Sequence, residues 1–389
     1  MARRTAPTRV LGIMSGTSLD GVDCALCAIT PRRSELLQVW STPFSLRLRR
    51  KLERVARGEA TSWELAQAHH DLGRFYAAVA VAQPAPSTGS GRGPRQRPEL
   101  IGLHGQTVFH NPAWEQPATL QLGEPSYLAE TFRVPVVSNF RAGDLAVGGQ
   151  GAPLATMFHL RVFGQEGRHV CVNNLGGISN VTSIHWPKGG APRVKAFDTG
   201  PGNMLIDMLA RKLSGSLRAL DQDGKRAAAG TPCGALLEAW MQHPFFARRP
   251  PKSTGREMFG EKFFEPAWTQ MRERQLSPKD MLATVTELTA RSLAFNYGKH
   301  LGGKPDVVIL AGGGSANGHL RGRIEAALRA HYPRVSVAVT EDFGWPRASV
   351  EAAAFALLAW LRMRGEPGNV LGTTGAKRAV WLGSVTEVG

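Results

Sequence analysis

The sequence predicts an α/β protein made of two halves. Strand-like and helix-like segments alternate along the chain, which is typical of sheets covered by helices. The chain has 389 residues, and a single hydrophobic core usually stops growing at about 250–300 residues. Each half opens with apolar strands joined at a glycine turn: GIMSGTSLDGVD at residues 12–23 and NNLGGISNVT at residues 173–182. We therefore expect a first lobe over residues 1–150 and a second over residues 151–389, with a closing helix near residues 348–362 that packs back on the first lobe.

The elements of the first half follow from apolar periodicity. Alternation predicts strands, and a 3.6-residue period predicts helices. Pro125 in TLQLGEPSYLAE opens a helix, because its missing N–H costs nothing in a first turn. The predicted strands are residues 9–14, 22–29 and 36–44, with further strands within 100–112, 119–130 and 134–140. The predicted helices are residues 45–57, 62–82 and 153–163.

The segment QPAPSTGSGRGPRQRPE at residues 83–99 interrupts this pattern. It is rich in Pro, Gly, Ser and Arg and has no apolar periodicity. Such composition predicts a flexible surface loop. A solvated loop is the simpler interpretation, and anion binding is the alternative.

The second half repeats the alternation of strands and helices. HVCVNNLGGISNVTSI predicts two strands around Gly176 and Gly177, and VKAFDTGPGNMLIDMLA predicts a strand, a tight turn and a helix. Helical patterns cover residues 234–242 and 278–301. The chain then continues as strand, glycine loop and helix from residue 305, and as strand, loop and closing helix from residue 336.

Composition narrows the classes of function. The net charge is +16, but the basic residues are scattered and no basic stripe with interleaved aromatics occurs, so we expect no nucleic-acid partner. No apolar run approaches the roughly 18 residues of a membrane helix. The basic N-terminus lacks a long apolar stretch, so the sequence predicts a cytoplasmic protein without a membrane partner. Cys24 and Cys27 form a CxxC, but positions three apart on a strand face opposite ways, so we expect buried thiols rather than a metal site.

The glycine turns are candidate anion sites. Glycines allow a ligand to approach the bare backbone, and successive N–H groups in such a turn form a concave anion site. In the first turn, Ser15, Thr17 and Ser18 add hydroxyls, while Asp20 and Asp23 can hold Mg²⁺ through water. An ordinary hairpin turn remains the alternative. LAGGGSAN at residues 310–317 is a third glycine loop, although the chain lacks both GxGxxG and a Walker A sequence.

Seven motifs in order resemble the anhydro-N-acetylmuramic acid kinase family: GIMSGTSLDGVD, GLHGQTVFHNP, GGQGAPL, NLGGISN, FDTGPGNMLID, KSTGREMF and AGGGSAN. The resemblance implies a two-lobed actin-like or sugar-kinase fold, related to ribonuclease H, with a mixed sheet in each lobe and a central cleft. It implies ATP and Mg²⁺ as cofactors, with Asp20 holding the metal through water, and a homodimer. The ATP-binding residues that it implies are Gly16, Thr17, Ser18, Leu19, Asp20, Gly21, Val22, Asp23, Gly176, Gly177, Asn180, Gly312, Gly313, Gly314 and Asn317.

The implied reaction opens 1,6-anhydro-N-acetylmuramic acid with water and phosphorylates O6, a step of peptidoglycan recycling and amino-sugar catabolism. Asp198 matches the family's catalytic aspartate, and a strand-end Asp beside a Gly-Pro-Gly turn is well presented to substrate. The alternative for Asp198 is a helix cap. The implied substrate-binding residues are His104, Gln106, Arg141, Asp144 and Glu351. An Arg fork suits the lactyl carboxylate, and Asp144 is expected to orient it.

Two positions depart from the family pattern. Asn139 stands where an Asp is common before Phe-Arg, and Gly143 stands where a basic residue is common before the aspartate. Both lie near the expected sugar site. A related sugar kinase with another acceptor therefore remains an alternative. A non-catalytic ATP-binding switch protein on the same fold, with Asp198 as a structural cap, is an alternative of a different class. Lys252 and Arg256 in KSTGRE are expected to be cleft or structural cations without an assigned role.

Overall fold

The computed structural model describes residues 6–84, 97–112, 115–216 and 219–389. The strands within these residues are β1 Thr8–Ser15, β2 Gly21–Ile29, β3 Ser34–Pro43, β4 Leu100–Asn111, β5 Ala118–Leu122, β6 Val136–Ser138, β7 Arg168–Leu175, β8 Ile178–Trp186, β9 Arg193–Pro201, β10 Val307–Ala311, β11 Ser336–Val339 and β12 Ser384–Thr386. The α-helices are α1 Leu46–Ala56, α2 Ser62–Val81, α3 Ser126–Phe132, α4 Phe140–Ala146, α5 Thr156–Phe163, α6 Met204–Ser214, α7 Lys225–Ala228, α8 Gly234–Met241, α9 Pro244–Ala247, α10 Arg256–Phe259, α11 Glu261–Glu273, α12 Pro278–His300, α13 Gly318–His331 and α14 Arg347–Met363.

These elements form two compact units. Met1–Val162 and Gly344–Gly389 make up unit 1, and Phe163–Phe343 makes up unit 2. The sequence placed the boundary between residues 150 and 151, whereas the chain passes from unit 1 to unit 2 at the end of α5 and returns to unit 1 before α14. Of the loop predicted over residues 83–99, the part from 85 to 96 lies outside the described residues.

Each unit is built on a mixed sheet, as the sequence predicts for an α/β chain. The sheet of unit 1 has the strand order β12-β6-β4-β1-β2-β3, with β5 paired to β4, and the sheet of unit 2 has the order β11-β10-β7-β8-β9. In both sheets, the first three strands of the unit form an antiparallel meander. In unit 1, β4 then pairs in parallel with β1 and β6 in parallel with β4. In unit 2, β10 pairs in parallel with β7. This shared topology agrees with the two glycine hairpins that open the two halves of the sequence.

Helix α14 packs directly on the sheet of unit 1 at a pair of glycines. Gly12 of β1 and Gly102 of β4 are neighbours in the parallel register. A Cβ at Gly12 would lie 1.8 Å from the carbonyl oxygen of Ala352, and one at Gly102 would lie 2.2 Å from that of Phe355. Side chains at either position would therefore force the helix away from the sheet. The first residues of α14, including Glu351, are held close to the sheet in this way.

Helix α12 forms the centre of the core of unit 2. Its N-terminus is capped by Ser277, and nearly every turn contributes buried residues, among them Leu288 and Tyr297. The Tyr297 hydroxyl donates to Oδ1 of Asn173 in β7 (3.2 Å), so the helix is joined to the sheet by a buried polar contact as well as by packing.

Two expectations from the sequence concern the burial of the cysteines and the membrane-spanning potential of the helices. Cys24 and Cys27 are buried and free, as the sequence predicts, and burial raises the pKa of both thiols. In the described part of the chain, none of the helices combines the length and apolar character that a bilayer crossing requires.

Candidate active site

The first glycine corner connects β1 to β2. Leu19 adopts a left-handed conformation (φ 55°), and its N–H donates to the carbonyl of Gly16 (3.3 Å). The Ser18 hydroxyl donates to Oδ1 of Asp20 (2.8 Å). The backbone N–H groups of Thr17 and Ser18 have no acceptor among the described residues, and both residues are exposed. The corner therefore presents free N–H donors at its surface, which is the requirement for an anion site.

Two residues predicted to bind nucleotide at this corner, Gly21 and Val22, also have packing roles. Val22 is 1% exposed and contributes to the core. A Cβ at Gly21 would lie 2.5 Å from the carbonyl of Thr42, so this glycine permits close pairing with β3. A side-chain contact from Val22 to a ligand does not fit its position, because the side chain points into the hydrophobic core.

Gln106 lies beneath the same corner. It is fully buried, and its Nε2 donates to the carbonyls of Gly16 (3.0 Å) and Thr107 (3.2 Å). The expected hydrogen bonds to substrate hydroxyls do not fit this buried position. The side chain fixes the backbone of the corner from inside, and Ser15, whose hydroxyl bonds Tyr76 (2.6 Å), is buried beside it.

Three carboxylates lie close to one another in unit 1. The pKa of Asp23 is raised by burial, is lowered in part by the hydrogen bond from Ser41, and is raised further by the charge of Asp20. The pKa of Glu351 is raised by desolvation and by Asp23, and is lowered in part by Arg141. Glu351 nevertheless keeps an exposed surface. Asp20 and Asp23 are the carboxylates that could hold Mg²⁺ beside the corner, since Mg²⁺ commonly takes one or two carboxylates together with waters and phosphates.

Arg141 and His104 form a pair in unit 1, in which His104 is buried and Arg141 is half-buried. The Arg141 Nε and Nη2 donate to Nε2 of His104 (3.1 and 2.9 Å), and Nη1 donates to the carbonyl of Gly151 (2.6 Å). Burial and the adjacent guanidinium hold the pKa of His104 well below its usual value, so this imidazole is neutral. Burial lowers the pKa of Arg141 to about 10, which still leaves the guanidinium charged at neutral pH.

Asp144 holds this pair indirectly. It is fully buried, and its Oδ2 accepts from the N–H of Gly151 (2.8 Å). Its Oδ1 accepts from Asn369 (3.1 Å) and Thr374 (2.8 Å). Asp144 is too deeply buried for a direct contact with substrate. Its position agrees with the role suggested by the sequence, which is to orient Arg141.

The two positions that depart from the family pattern have local explanations. Asn139 precedes α4 in a left-handed conformation (φ 55°), which Asn tolerates better than most residues. A Cβ at Gly143 would lie 3.0 Å from the carbonyl of Trp381, so a larger side chain there would press on the C-terminal segment. A basic residue at position 143 is therefore disfavoured by packing in this chain.

The second glycine corner, in unit 2, is tied to the helix that follows it. The carbonyl of Gly176 accepts from the N–H of Asn203 (2.8 Å), and the carbonyl of Gly177 accepts from those of Gly202 (2.9 Å) and Met204 (3.2 Å). The N–H of Gly177 has no acceptor within the residues that the structure describes, and this glycine is exposed. The carbonyls therefore face α6, which leaves the N–H of Gly177 available for an anion.

Asp198 lies on β9 next to a β-bulge. The register pairs Ser179 with Gly200 and Asn180 with Asp198, so Thr199 is the extra residue. The strand continues to Pro201, three residues past Asp198, which corrects the expected strand end. The helix-cap alternative is also wrong, because the residue before α6 is Asn203. Bulges of this kind often re-aim a side chain beside an active site.

The loop after Pro251 holds the Asp198 carboxylate. The N–H of Asp198 donates to the carbonyl of Lys252 (3.1 Å), and the N–H of Thr254 donates to Oδ2 of Asp198 (2.7 Å). Burial raises the pKa of Asp198 to about 6; the N–H of Thr254 lowers it, the Glu257 carboxylate raises it, and Lys252 lowers it. No donor within the described ranges bonds Oδ1, so one oxygen is fixed and the other is free to accept a proton.

Lys252 has a structural role that the sequence left open. Its Nζ is buried and donates to the carbonyls of Phe245 (3.1 Å) and Phe246 (3.2 Å). Desolvation and the nearby Arg248 and Lys299 lower its pKa to about 8. The side chain therefore anchors the loop of Thr254 to α9 and places a positive charge near Asp198.

The third glycine loop follows β10 and leads into α13. A Cβ at Gly312 would lie 2.2 Å from Oδ1 of Asn174, and one at Gly314 would lie 2.6 Å from Oδ1 of Asn203, so both glycines allow close packing. Gly313 is exposed with open space around its Cα. The Asn317 side chain caps α13 by accepting from the N–H of Leu320 (2.9 Å). Gly313 thus leaves the backbone of this loop open to a ligand.

Thr254, Glu257 and Thr374 are among the residues of the site that were not found from the sequence. Thr254 and Glu257 act on Asp198 from within the KSTGRE motif, so the motif itself was the available signal. Thr374 bonds Asp144 from 230 positions away, and no local pattern indicates such a contact.

Comparison with known proteins assigns the family. The family model described as anhydro-N-acetylmuramic acid kinase matches residues 8–388. The anhydro-N-acetylmuramic acid kinase of Cyanothece sp. (strain PCC 7425 / ATCC 29141) is 39% identical over 389 residues, covering 97% of this chain and 98% of that one. The one of Gloeobacter violaceus is 40% identical over 390 residues, covering 98% of this chain and 100% of that one.

A solved structure was also compared: the activator of the 2-hydroxyisocaproyl-CoA dehydratase from Clostridium difficile with bound ADPNP aligns over 92% of this chain and 96% of its own, with a TM-score of 0.44 and 8% identity. This similarity is too low to bear on function. The family model and the relatives, by contrast, cover nearly the whole chain. The chain therefore belongs to the anhydro-N-acetylmuramic acid kinase family.

Proposed function

We propose that this protein is an ATP-dependent kinase that opens 1,6-anhydro-N-acetylmuramic acid with water and phosphorylates O6, giving N-acetylmuramic acid 6-phosphate in peptidoglycan recycling. Membership of the family supports this activity. The observation that carries the proposal is the state of Asp198: one carboxylate oxygen is fixed by the Thr254 N–H, the other has no donor among the described residues, and the pKa is about 6. A carboxyl in this state suits a general base that works near neutral pH.

In the proposed reaction Asp198 takes a proton from water as the water oxygen bonds C1. The C1–O6 bond breaks, and its electron pair stays on O6. O6 then bonds the γ-phosphorus of ATP, and ADP leaves. Asp198 returns its proton to solvent, so atoms and charges balance. Such base catalysis contributes about 10²–10⁴-fold to the rate, and the rest comes from positioning and from stabilising charge on the transferred phosphoryl group.

We propose that exposed N–H groups of the glycine corners bind phosphate oxygens. Thr17 and Ser18 offer such groups in unit 1, and Gly177 offers one in unit 2. Asp20 and Asp23 would hold Mg²⁺, which would supply positive charge to the phosphates. The remaining residues proposed to lie along ATP are Gly16, Leu19, Gly21, Val22, Gly176, Asn180, Gly312, Gly313, Gly314 and Asn317.

We propose that Arg141 binds the lactyl carboxylate of the sugar. Its contacts with Gly151 and His104 use only part of its five N–H donors, and no carboxylate among the described residues forms an ion pair with it. His104 acts by orienting the guanidinium, since its Nε2 is occupied by Arg141. Glu351, an exposed residue near the N-terminus of α14, is proposed to accept hydrogen bonds from sugar hydroxyls.

One assay tests the proposed function. The protein is incubated with ATP, Mg²⁺ and a panel of sugars in ¹⁸O-labelled water, and the product is identified by mass. Phosphorylation of the anhydro sugar with one ¹⁸O at C1 is expected. Turnover only of another sugar would instead support a kinase with a different acceptor, and ATP binding without any sugar product would support a non-catalytic switch protein.

The cytoplasmic location, the Mg²⁺ requirement and the homodimer expected from the sequence are part of this proposal. Cell fractionation, turnover with EDTA in place of Mg²⁺, and sedimentation of the purified protein test them in turn. Cell fractionation and sedimentation are independent of the product assay, whereas the EDTA experiment uses the same product as its readout.

A further inference from the structure

A chain of hydrogen bonds runs from the C-terminal segment of unit 1 to Arg141. The Thr374 hydroxyl and the Asn369 amide both donate to Oδ1 of Asp144, at 2.8 and 3.1 Å. These residues lie 230 and 225 positions after Asp144 in the sequence. The contact therefore joins the segment after α14 to helix α4, which carries Arg141.

The other oxygen of Asp144 continues the chain. Oδ2 accepts from the N–H of Gly151 (2.8 Å), and the carbonyl of the same residue accepts from Nη1 of Arg141 (2.6 Å). Gly151 has a left-handed conformation (φ 66°). A Cβ at Gly149 would lie 2.1 Å from Oδ2 of Asp144, so the loop wraps tightly around this carboxylate.

Backbone bonds hold the same two segments together. The N–H of Gln150 donates to the carbonyl of Thr374 (2.8 Å), and the N–H of Lys377 donates to that of Val147 (3.0 Å). Asp144, Asn369 and Thr374 are all buried. Water therefore cannot replace a lost donor to the Asp144 carboxylate without a cavity or a rearrangement, and an unsatisfied buried charge is costly.

We propose that Thr374 and Asn369 are positioning residues for Arg141, acting through Asp144 and Gly151. The inference rests on the proposed function, because it takes Arg141 as the group that binds the lactyl carboxylate. Loss of a donor on Asp144 lets the carboxylate and the Gly151 peptide move, which displaces the guanidinium. Affinity for the sugar then falls, while the chemistry at C1, which depends on Asp198, is retained.

The test replaces Thr374 by Val, which keeps the shape and removes the hydroxyl. We expect the KM for the anhydro sugar to rise about tenfold, with kcat and the KM for ATP within about twofold of wild type, since a hydrogen bond to a charged group is lost. Thr374→Ser, which keeps the hydroxyl, restores the wild-type KM. Thr373→Val is the matched control, because its neighbouring buried hydroxyl bonds Val370 (2.7 Å) and not Asp144.

A second substrate separates positioning from general loosening of the fold. 1,6-Anhydro-N-acetylglucosamine lacks the lactyl carboxylate, so Thr374→Val should not change its KM. An unchanged KM for the muramyl sugar in Thr374→Val, or an equal rise in Thr373→Val, would overturn the positioning role. If the Val variant does not fold, Thr374→Cys, a weaker donor, is measured instead. Absence of wild-type turnover would count against the proposed function itself, and would be seen before any variant is compared.

Discussion

Each unit holds one half-buried charged group among the predicted site residues, Arg141 in unit 1 and Asp198 in unit 2, and the two groups are held differently. In unit 2, Asp198 receives a single backbone N–H on one oxygen, from Thr254. In unit 1, Arg141 is engaged at three nitrogens by His104 and Gly151. Burial moves both pKa values toward the neutral form: that of Asp198 rises to about 6, and that of Arg141 falls to about 10.

The difference separates a group that can exchange a proton from one that keeps its charge. Only the pKa of Asp198 comes near neutral pH, so its protonation can change during a reaction. Arg141 stays charged and is fixed in direction, as recognition of a carboxylate requires. Arg141 is held at three nitrogens, as fits a charge that must recognise a carboxylate in a fixed geometry. Asp198 is held at only one oxygen, as fits a base that needs the other oxygen free.

The largest expected effect comes from removing the base. Asp198→Asn should lower kcat by about 10²–10⁴-fold, because the amide cannot take the proton from water. ATP affinity should stay near that of wild type. Asp207→Asn is the matched control, since burial also raises the pKa of Asp207 but this residue lies on α6. Wild-type turnover in Asp198→Asn would refute the assignment of the base.

The Asp198→Asn variant should also be more stable than the wild-type protein above about pH 6. The pKa of Asp198 rises from 3.8 to about 6 on folding, so the folded state binds the proton more tightly. The contribution of this carboxyl to stability is therefore greatest below about pH 4 and is lost as the pH rises to about 6, a difference of about 3 kcal/mol. Unfolding free energies from urea titrations at pH 4 to 8 check this prediction.

In these titrations the free energy of unfolding of Asp198→Asn minus that of wild type should increase between pH 4 and 6 and then level off. Groups common to both proteins cancel in the difference. A difference that does not depend on pH would show that the carboxyl of Asp198 is not desolvated by the fold.

Removing the fork of Arg141 should have a smaller effect on turnover. Arg141→Lys keeps a positive charge but cannot make two parallel hydrogen bonds to a carboxylate. We expect the KM for the anhydro sugar to rise about 10- to 100-fold, in line with the loss of hydrogen bonds between charged groups. The control is Arg161→Lys, a half-buried arginine stacked on Trp360 (4.9 Å). Equal effects from both variants would contradict a specific role for Arg141.

The sequence predicts the elements of each unit well because they depend on local patterns. The glycine corners at Gly16 and Gly176, and most strand and helix positions, lie where the periodicity indicates. The end of β9 was misjudged, since the bulge at Thr199 lets the strand continue past Asp198. The contacts of Asp198 with Thr254 and of Asp144 with Thr374 span 56 and 230 positions. Only the folded chain brings such residues together.

The smallest expected effect concerns the electrostatics around Asp198. Glu257 lies in α10, three positions after Thr254, and its charge raises the pKa of Asp198. Glu257→Gln should therefore lower that pKa, so that kcat/KM stays high to a lower pH. We expect the acidic limb of the profile to move down by less than about one pH unit. The pH dependence of kcat/KM between pH 4.5 and about 8 measures the shift.

Glu261→Gln provides the control for this shift. Glu261 is an exposed carboxylate in the first turn of α11, four positions along the chain, and does not contribute to the pKa of Asp198. Glu261→Gln removes one negative charge from the same part of unit 2, as Glu257→Gln does. A shift in Glu257→Gln but not in Glu261→Gln would show that the acidic limb reports Asp198 and its immediate surroundings. Equal shifts would mean that the limb reports the net charge of the protein, and the base would then have to be sought elsewhere.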